Sequence, residues 1–212
     1  DIYGRKKIFT CGIAIFTLSS LLCGMASSVT MLISCRVFQG IGGAMLAGTG
    51  VALLTTVYPV NERGRVLGIN VAATYTGLSL GPVLGGVLTQ HLSWRSIFFL
   101  GALLGLAVIS VVLRKLKGEW TGAKGERFDF AGSVIYSLGL VALIYGFTLL
   151  PAMLGVWLIP GGIVGLSAFI RWEIRTRSPV LDISLFRNSK AFTFSNLAAL
   201  INYSATFAVS FL

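Results

Sequence analysis

Between Met31 and Tyr58 the chain reads MLISCRVFQGIGGAMLAGTGVALLTTVY, and only Arg36 and Gln39 are neither apolar, small nor hydroxyl-bearing. A stretch that apolar and that long suits lipid rather than a water-facing helix. A charge inside such a segment almost always faces the protein interior or a water-filled cavity, and marks an ion or substrate pathway or a proton relay. From Arg36, steps of four, seven, eleven and fourteen residues reach Gly40, Gly43, Ala47 and Gly50, a stripe of the smallest side chains on one helical face. Such a stripe lets helices approach closely. A second reading stays open: if the helix starts near Val29, Arg36 lies about 10 Å inside at 1.5 Å per residue, within reach of the interface by snorkelling.

A second constellation is GLSLGPVLGG. Gly77, Gly81 and Gly85 recur every four residues, Gly86 adjoins them, and Pro82 withholds the N–H that the Leu78 carbonyl would use. Close packing and a bend at one place follow. The same face continues upstream to Thr74 and Asn70. A third pattern sets glycine beside arginine and an acid in short turns, DIYGRKK and then NERGR. Gly4 and Gly64 can adopt angles that other residues resist, and Asp1 and Glu62 can pair with Arg5, Arg63 or Arg65.

No chemistry of bond making stands out. Cys11, Cys23 and Cys35 have no histidine nearby and read as packing residues; His91, the only histidine, sits at a segment end without metal-ligand partners. GIGGAM lacks the final glycine and the preceding strand of a dinucleotide fingerprint. We therefore expect no enzyme activity, no metal and no cofactor.

The elements that must hold these residues are apolar segments at roughly 8–28, 31–58, 65–90, 94–113, 129–150, 154–171 and 191–212. Over 212 residues, 55% are hydrophobic and 11% charged, against about a quarter charged in soluble domains. In a bilayer such segments must be helices, since each backbone polar group has to be satisfied within its own segment. The expectation is an all-α, polytopic bundle with seven spans.

The net charge of +10 would suggest nucleic acid in a soluble protein, but its placement argues otherwise. Of seventeen Lys and Arg, fifteen fall in alternate loops on one side, only Arg95 falls on the other, and Arg36 lies within a span. By the positive-inside rule residue 1 is cytoplasmic and residue 212 lies towards the outside, with the basic loops against the inner leaflet. SPVLDISLFRNSKAF, with Val180, Leu181, Ile183, Leu185 and Phe186 beside basic residues, fits a short interfacial helix or equally a solvated linker. All seven acids fall in loops or at span ends. The last span offers Asn196, Asn202 and Tyr203, which with Asn70 and Thr74 are candidates for substrate contact or for hydrogen bonds between helices.

DIYGRKK, RVFQGIGGA and GLSLGPVLGG followed by WRSIFF resemble, in order and spacing, the loop, fourth-span and fifth-span motifs of the major facilitator superfamily. The last resembles its drug:proton antiporters, and SPVLDISLFRNSKAF resembles the loop before span nine of the fourteen-span branch. The resemblance covers essentially the whole chain. It implies spans three to nine of a longer protein: residues 1–116 as part of an N-terminal bundle, 117–190 as a loop, two inserted spans and an interfacial segment, and 191–212 as the first span of a second bundle. It further implies a proton-gradient-driven exporter of small amphipathic compounds in the plasma membrane, working as a monomer by rocking of its bundles. In that scheme Arg36 and Gln39 serve proton coupling, and Asp1, Gly4, Arg5, Arg63 and Arg65 form a conformational latch. Gly77, Gly81, Pro82, Gly85 and Gly86 form the bending interface, and the carboxylate that carries the proton lies outside these residues. Rival expectations are a metabolite symporter or exporter on the same fold, and a membrane sensor that has lost transport.

Overall fold

A computed structural model describes residues 4–116, 118, 128–176 and 179–210, in which the regular structure is helical. Two compact units divide it, Asp1–Gly125 and Glu126–Leu212. The first contains α1 (Arg5–Gly24), α2 (Val29–Val57), α3 (Val60–His91) and α4 (Trp94–Lys115), and the second α5 (Phe130–Thr148), α6 (Met153–Glu173), α7 (Ser184–Asn188) and α8 (Lys190–Ser210). Six helices, α1 to α6, are long and apolar enough to cross a membrane among the described residues. With 21 residues, α8 is long enough to be the seventh. Most of KGEWTGAKGERFD lies outside the described residues.

Polar caps set the starts of α2 and α5. Ser28 accepts the Met31 N–H at 3.2 Å, and Asp129 accepts the Gly132 N–H at 2.8 Å, each satisfying an otherwise orphan amide of a first turn. Before α1, Gly4 takes φ 94°, in the region only glycine enters freely. The matching expectation for Gly64 does not hold. Pro59 starts α3 five residues earlier than the apolar run does, and Gly64 lies inside the helix with Glu62 in its first turn. A carboxylate at the positive end of a helix dipole favours that early start. α3 then runs unbroken to His91 with Pro82 inside it.

In the first unit α1 lies against both α2 and α4. Its seam with α2 is backbone against backbone. A Cβ on Gly42 would stand 2.6 Å from the Phe16 nitrogen and 2.8 Å from the Gly12 oxygen. The expected stripe makes no such approach: nothing lies within 4 Å of a Cβ built on Gly40 or Gly43, and Gly50 would meet only Phe9 at 3.8 Å. The close contact falls on Gly42 because α1 lies to one side of the stripe, where Gly12 is its complement. α4 meets α1 through Gly105, set against Thr17, while Phe99 of α4 lies against Gly24.

The second unit is built on a hairpin. Gly132, Gly139 and Gly146 of α5 and Gly155 and Gly162 of α6 are buried at seven-residue intervals, the repeat that keeps one seam facing its partner along two gently crossing helices. A Cβ on Gly162 would lie 2.7 Å from the Leu143 nitrogen, and one on Gly155 2.7 Å from the Gly146 oxygen. Glu173, 3% exposed, closes the α6 end of the hairpin. Its carboxylate accepts the N–H groups of Val180 and Leu181 at 3.3 and 3.4 Å, while Asp129 accepts the Trp172 indole N–H at 2.9 Å. Within SPVLDISLFRNSKAF the five-residue α7 precedes the first turn of α8, with Leu185 and Phe186 exposed and the Phe186 and Phe192 rings 4.9 Å apart.

Candidate functional site

Arg36 sits two turns into α2, on a helix whose other side is locked to α1. That locking brings α1 polar groups to it. Arg36 Nη1 donates to Gln39 Oε1 at 2.9 Å, and Gln39 Nε2 donates to Ser20 Oγ of α1 at 2.7 Å. Gln39 is 7% exposed and Ser20 fully buried. The amide is used at both ends, so the arginine is tied through it to a second helix. From the third side, the Phe98 ring of α4 lies under the guanidinium, 4.7 Å from Cζ to centroid. Among the described residues no carboxylate pairs with Arg36. Its charge is met by an amide oxygen and a ring, leaving further N–H donors of its five for another group.

The pairing of Arg36 with Gln39 was legible as a helical i, i+3 relation. Ser20 and Phe98 were not: a serine in an apolar run and one phenylalanine among fourteen carry no signal until the packing is known. Thr17 belongs to the same seam, one turn from Ser20 on α1. It is 4% exposed, and its hydroxyl has no hydrogen-bond partner among the described residues.

At the opposite end of α1, Arg5 Nη1 donates to the Ala52 carbonyl at 3.2 Å and to Thr56 Oγ1, tying the start of α1 to the end of α2. Arg63 Nε donates to the Tyr58 carbonyl at 3.3 Å, and Arg65 is exposed on α3. Asp1 lies outside the described residues. Among the described residues no ion pair joins Glu62 to Arg63 or Arg65; Arg5 and Arg63 address carbonyls and a hydroxyl.

α3 has no buried residue along its length. Nothing lies within 4 Å of a Cβ built on Gly77, Gly81 or Gly86, and one on Gly85 would meet Ile97 at 3.8 Å. Between α3 and α4 runs an apolar groove of about 630 Å³, bordered by Gly77, Gly81 and Gly85 on one wall and Ile97, Gly101 and Leu104 on the other. Asn70 and Thr74 share this helix, and the Thr74 hydroxyl donates to the Asn70 carbonyl at 2.9 Å. In the second unit Asn196 donates to the Phe192 carbonyl of its own helix at 2.8 Å, and Tyr203 is exposed. Asn202 is also exposed on α8.

A helical, lipid-suited chain with a glycine–proline face, and an arginine within an apolar helix that meets no carboxylate among the described residues, is an arrangement for moving parts rather than for bond chemistry. The sequence profile of the Major Facilitator Superfamily matches residues 1–212. The chain belongs to that family. It is 32% identical over 198 residues to the multidrug resistance protein Stp of Mycobacterium tuberculosis, covering 89% of this chain and 36% of the relative. It is 37% identical over 195 residues to the cephamycin export protein CmcT of Amycolatopsis lactamdurans, covering 88% and 40%. It is 30% identical over 215 residues to the riboflavin transporter RibZ of Clostridioides difficile, covering 100% and 46%. The chain thus spans less than half the length of these relatives. Family members are transporters rather than enzymes, and the apolar helices make this a multi-pass protein of the plasma membrane.

Proposed function

We propose that this chain is the part of a proton-coupled exporter of small amphipathic or cationic compounds that holds the coupling arginine and the bending face. The observation that carries the reading is Arg36: a permanent positive charge about 10 Å into α2, held by an amide and a ring and answered by no carboxylate among the described residues. A positive charge lowers the pKa of a carboxylate brought within about 4–6 Å, so it promotes proton release in one conformation and not in another. The acid would come from outside this chain, since in the sequence all seven of its acids fall outside or at the ends of the apolar segments. Such transporters bind near the midplane and rock one bundle against another around the site. The groove-lining glycines of α3, with Pro82, would supply the compliant surface; Gly4, Arg5, Arg63 and Arg65 would hold one of the two conformations. Asn70, Thr74, Asn196, Asn202 and Tyr203 would be the polar contacts for substrate. The energy source is the proton gradient, no cofactor is required, and the basic loops contact the inner leaflet of a monomer.

The likeness to a multidrug resistance protein and an export protein supports export. The likeness to a riboflavin transporter over the full chain supports a second reading, a carrier dedicated to one metabolite on the same fold.

The deciding experiment is proton-gradient-dependent efflux of a fluorescent cation by the full-length parent, with Arg36→Ala beside it. We expect efflux from the parent and its loss in the variant at equal membrane content. Undiminished efflux from Arg36→Ala would end the coupling assignment and leave the arginine a structural or snorkelling residue.

A further inference from the structure

Arg36 is gripped by an alternation of cations and rings that runs to the outer turn of the first unit. Its guanidinium lies over Phe98, which is 8% exposed. Phe98 meets Trp94 edge to face, centroids 5.9 Å apart and planes at 88°. Trp94 carries the guanidinium of Arg95 at 4.5 Å, and Arg95 Nη2 donates at 2.9 Å to the Ala26 carbonyl in the turn between α1 and α2. Trp94 and Phe98 are four apart on α4, so one helix face supplies both rings.

The physics of the two ends differs. Both guanidinium groups are exposed, but the rings beneath them are not alike: Trp94 is exposed with Arg95, whereas Phe98 is buried, so packing holds its face in one orientation under Arg36. An arginine side chain left alone samples many rotamers, and fixing it beforehand removes that loss from the step in which it must meet another group. Gln39 alone fixes one nitrogen. The ring fixes the plane.

We propose that Phe98 is a positioning residue for Arg36: its π-face holds the guanidinium plane in the orientation in which it meets the proton-carrying group, with Trp94 and Arg95 anchoring that ring to the outer turn. This rests on the reading of Arg36 as a coupling residue. The test uses the full-length parent in the efflux assay above, with Phe98→Leu, which keeps apolar bulk, and Phe98→Tyr, which keeps a π-face, each alone and combined with Arg36→Ala. We expect Phe98→Leu to lower proton-driven efflux about tenfold, about 1.4 kcal/mol. Phe98→Tyr should restore most of it, and neither should change the residual rate of Arg36→Ala. If Arg36→Ala abolishes efflux while Phe98→Leu matches the parent, the positioning role is overturned and the coupling reading survives. If Arg36→Ala itself has no effect, the coupling reading has failed and the positioning role goes with it. Equal losses in Phe98→Leu and Phe98→Tyr would overturn the proposal in favour of plain packing. Should Phe98→Leu not reach the membrane, a trifluorinated phenylalanine at position 98 decides, since it keeps the shape and weakens the face: efflux falls if the proposal holds and stays at the parent level if it does not.

Discussion

α1–α2 and α3 use the same residue type to opposite ends. Gly12 and Gly42 press two backbones together, while Gly77, Gly81 and Gly86 face open space in a helix with no buried residue. A glycine stripe states that something can come close; it does not state that anything in the same unit does. The difference separates glycines that hold the unit together from those kept for another surface.

The sharpest way to break that comparison is one bulky side chain on each helix of the full-length protein. Gly42→Leu would drive a side chain into the Phe16 and Gly12 backbone. Overpacking typically costs about 1–3 kcal/mol, and backbone clashes lie at the upper end or beyond. Thermal unfolding in detergent should therefore show a large drop in Tm or no recoverable protein. Gly81→Leu enters an open groove; it should leave Tm within a few degrees of the parent yet suppress efflux. A reversal, with Gly81→Leu unfolding the protein and Gly42→Leu tolerated, would show that the α3 face is a packing face after all.

The hairpin allows the same question in the second unit. Gly162→Leu meets the Leu143 nitrogen and the Gly139 oxygen, whereas Gly161 has nothing within 4 Å. The first should destabilise by about 1–3 kcal/mol and Gly161→Leu by a small fraction of that. Similar Tm values for the two variants would mean that the hairpin seam gives way cheaply.

Much of this fold was legible because lipid leaves the backbone one choice. The long helices were foreseen from apolar length, with ends that differ by up to five residues from those observed. The start of α3 was missed because its first turn, Val60-Asn-Glu-Arg, is too polar for an apolar-run criterion, although Glu62 suits the positive end of a helix. At the candidate site, Arg36 and Gln39 were legible since charge and amide are rare there and three apart. Ser20, Thr17 and Phe98 were not, because which apolar helix covers which is a property of packing: Gly42, rather than the more regular stripe at Gly40 and Gly43, decides that α1 lies where its serine can reach Gln39.

Ser20 and Thr17, one turn apart on the same buried seam, sharpen the comparison at the scale of single hydroxyls. Ser20→Ala strips Gln39 Nε2 of its acceptor. Hydrogen bonds between membrane helices average about 0.6 kcal/mol and reach about 1.7, and a buried, already shared amide belongs near the upper figure. A loss of that size in chemical or thermal unfolding is expected, with a drop in efflux if Gln39 steadies Arg36.

Thr17→Val should do the reverse. Its hydroxyl is buried against Gly105 without a hydrogen-bond partner among the described residues, so it carries the desolvation penalty of a polar group and no return for it. Valine keeps the branched shape and removes the penalty, provided its second methyl fits where the oxygen sat. Gly105 has no side chain to oppose it. Tm should hold or rise slightly, and efflux should be unchanged. A loss above about 1 kcal/mol would mean that the oxygen has a hidden role, either a water or the weaker Cα–H contact from Gly105. Serine at position 17, keeping the oxygen without the methyl, would recover the loss only if the oxygen and not the shape is what the seam requires.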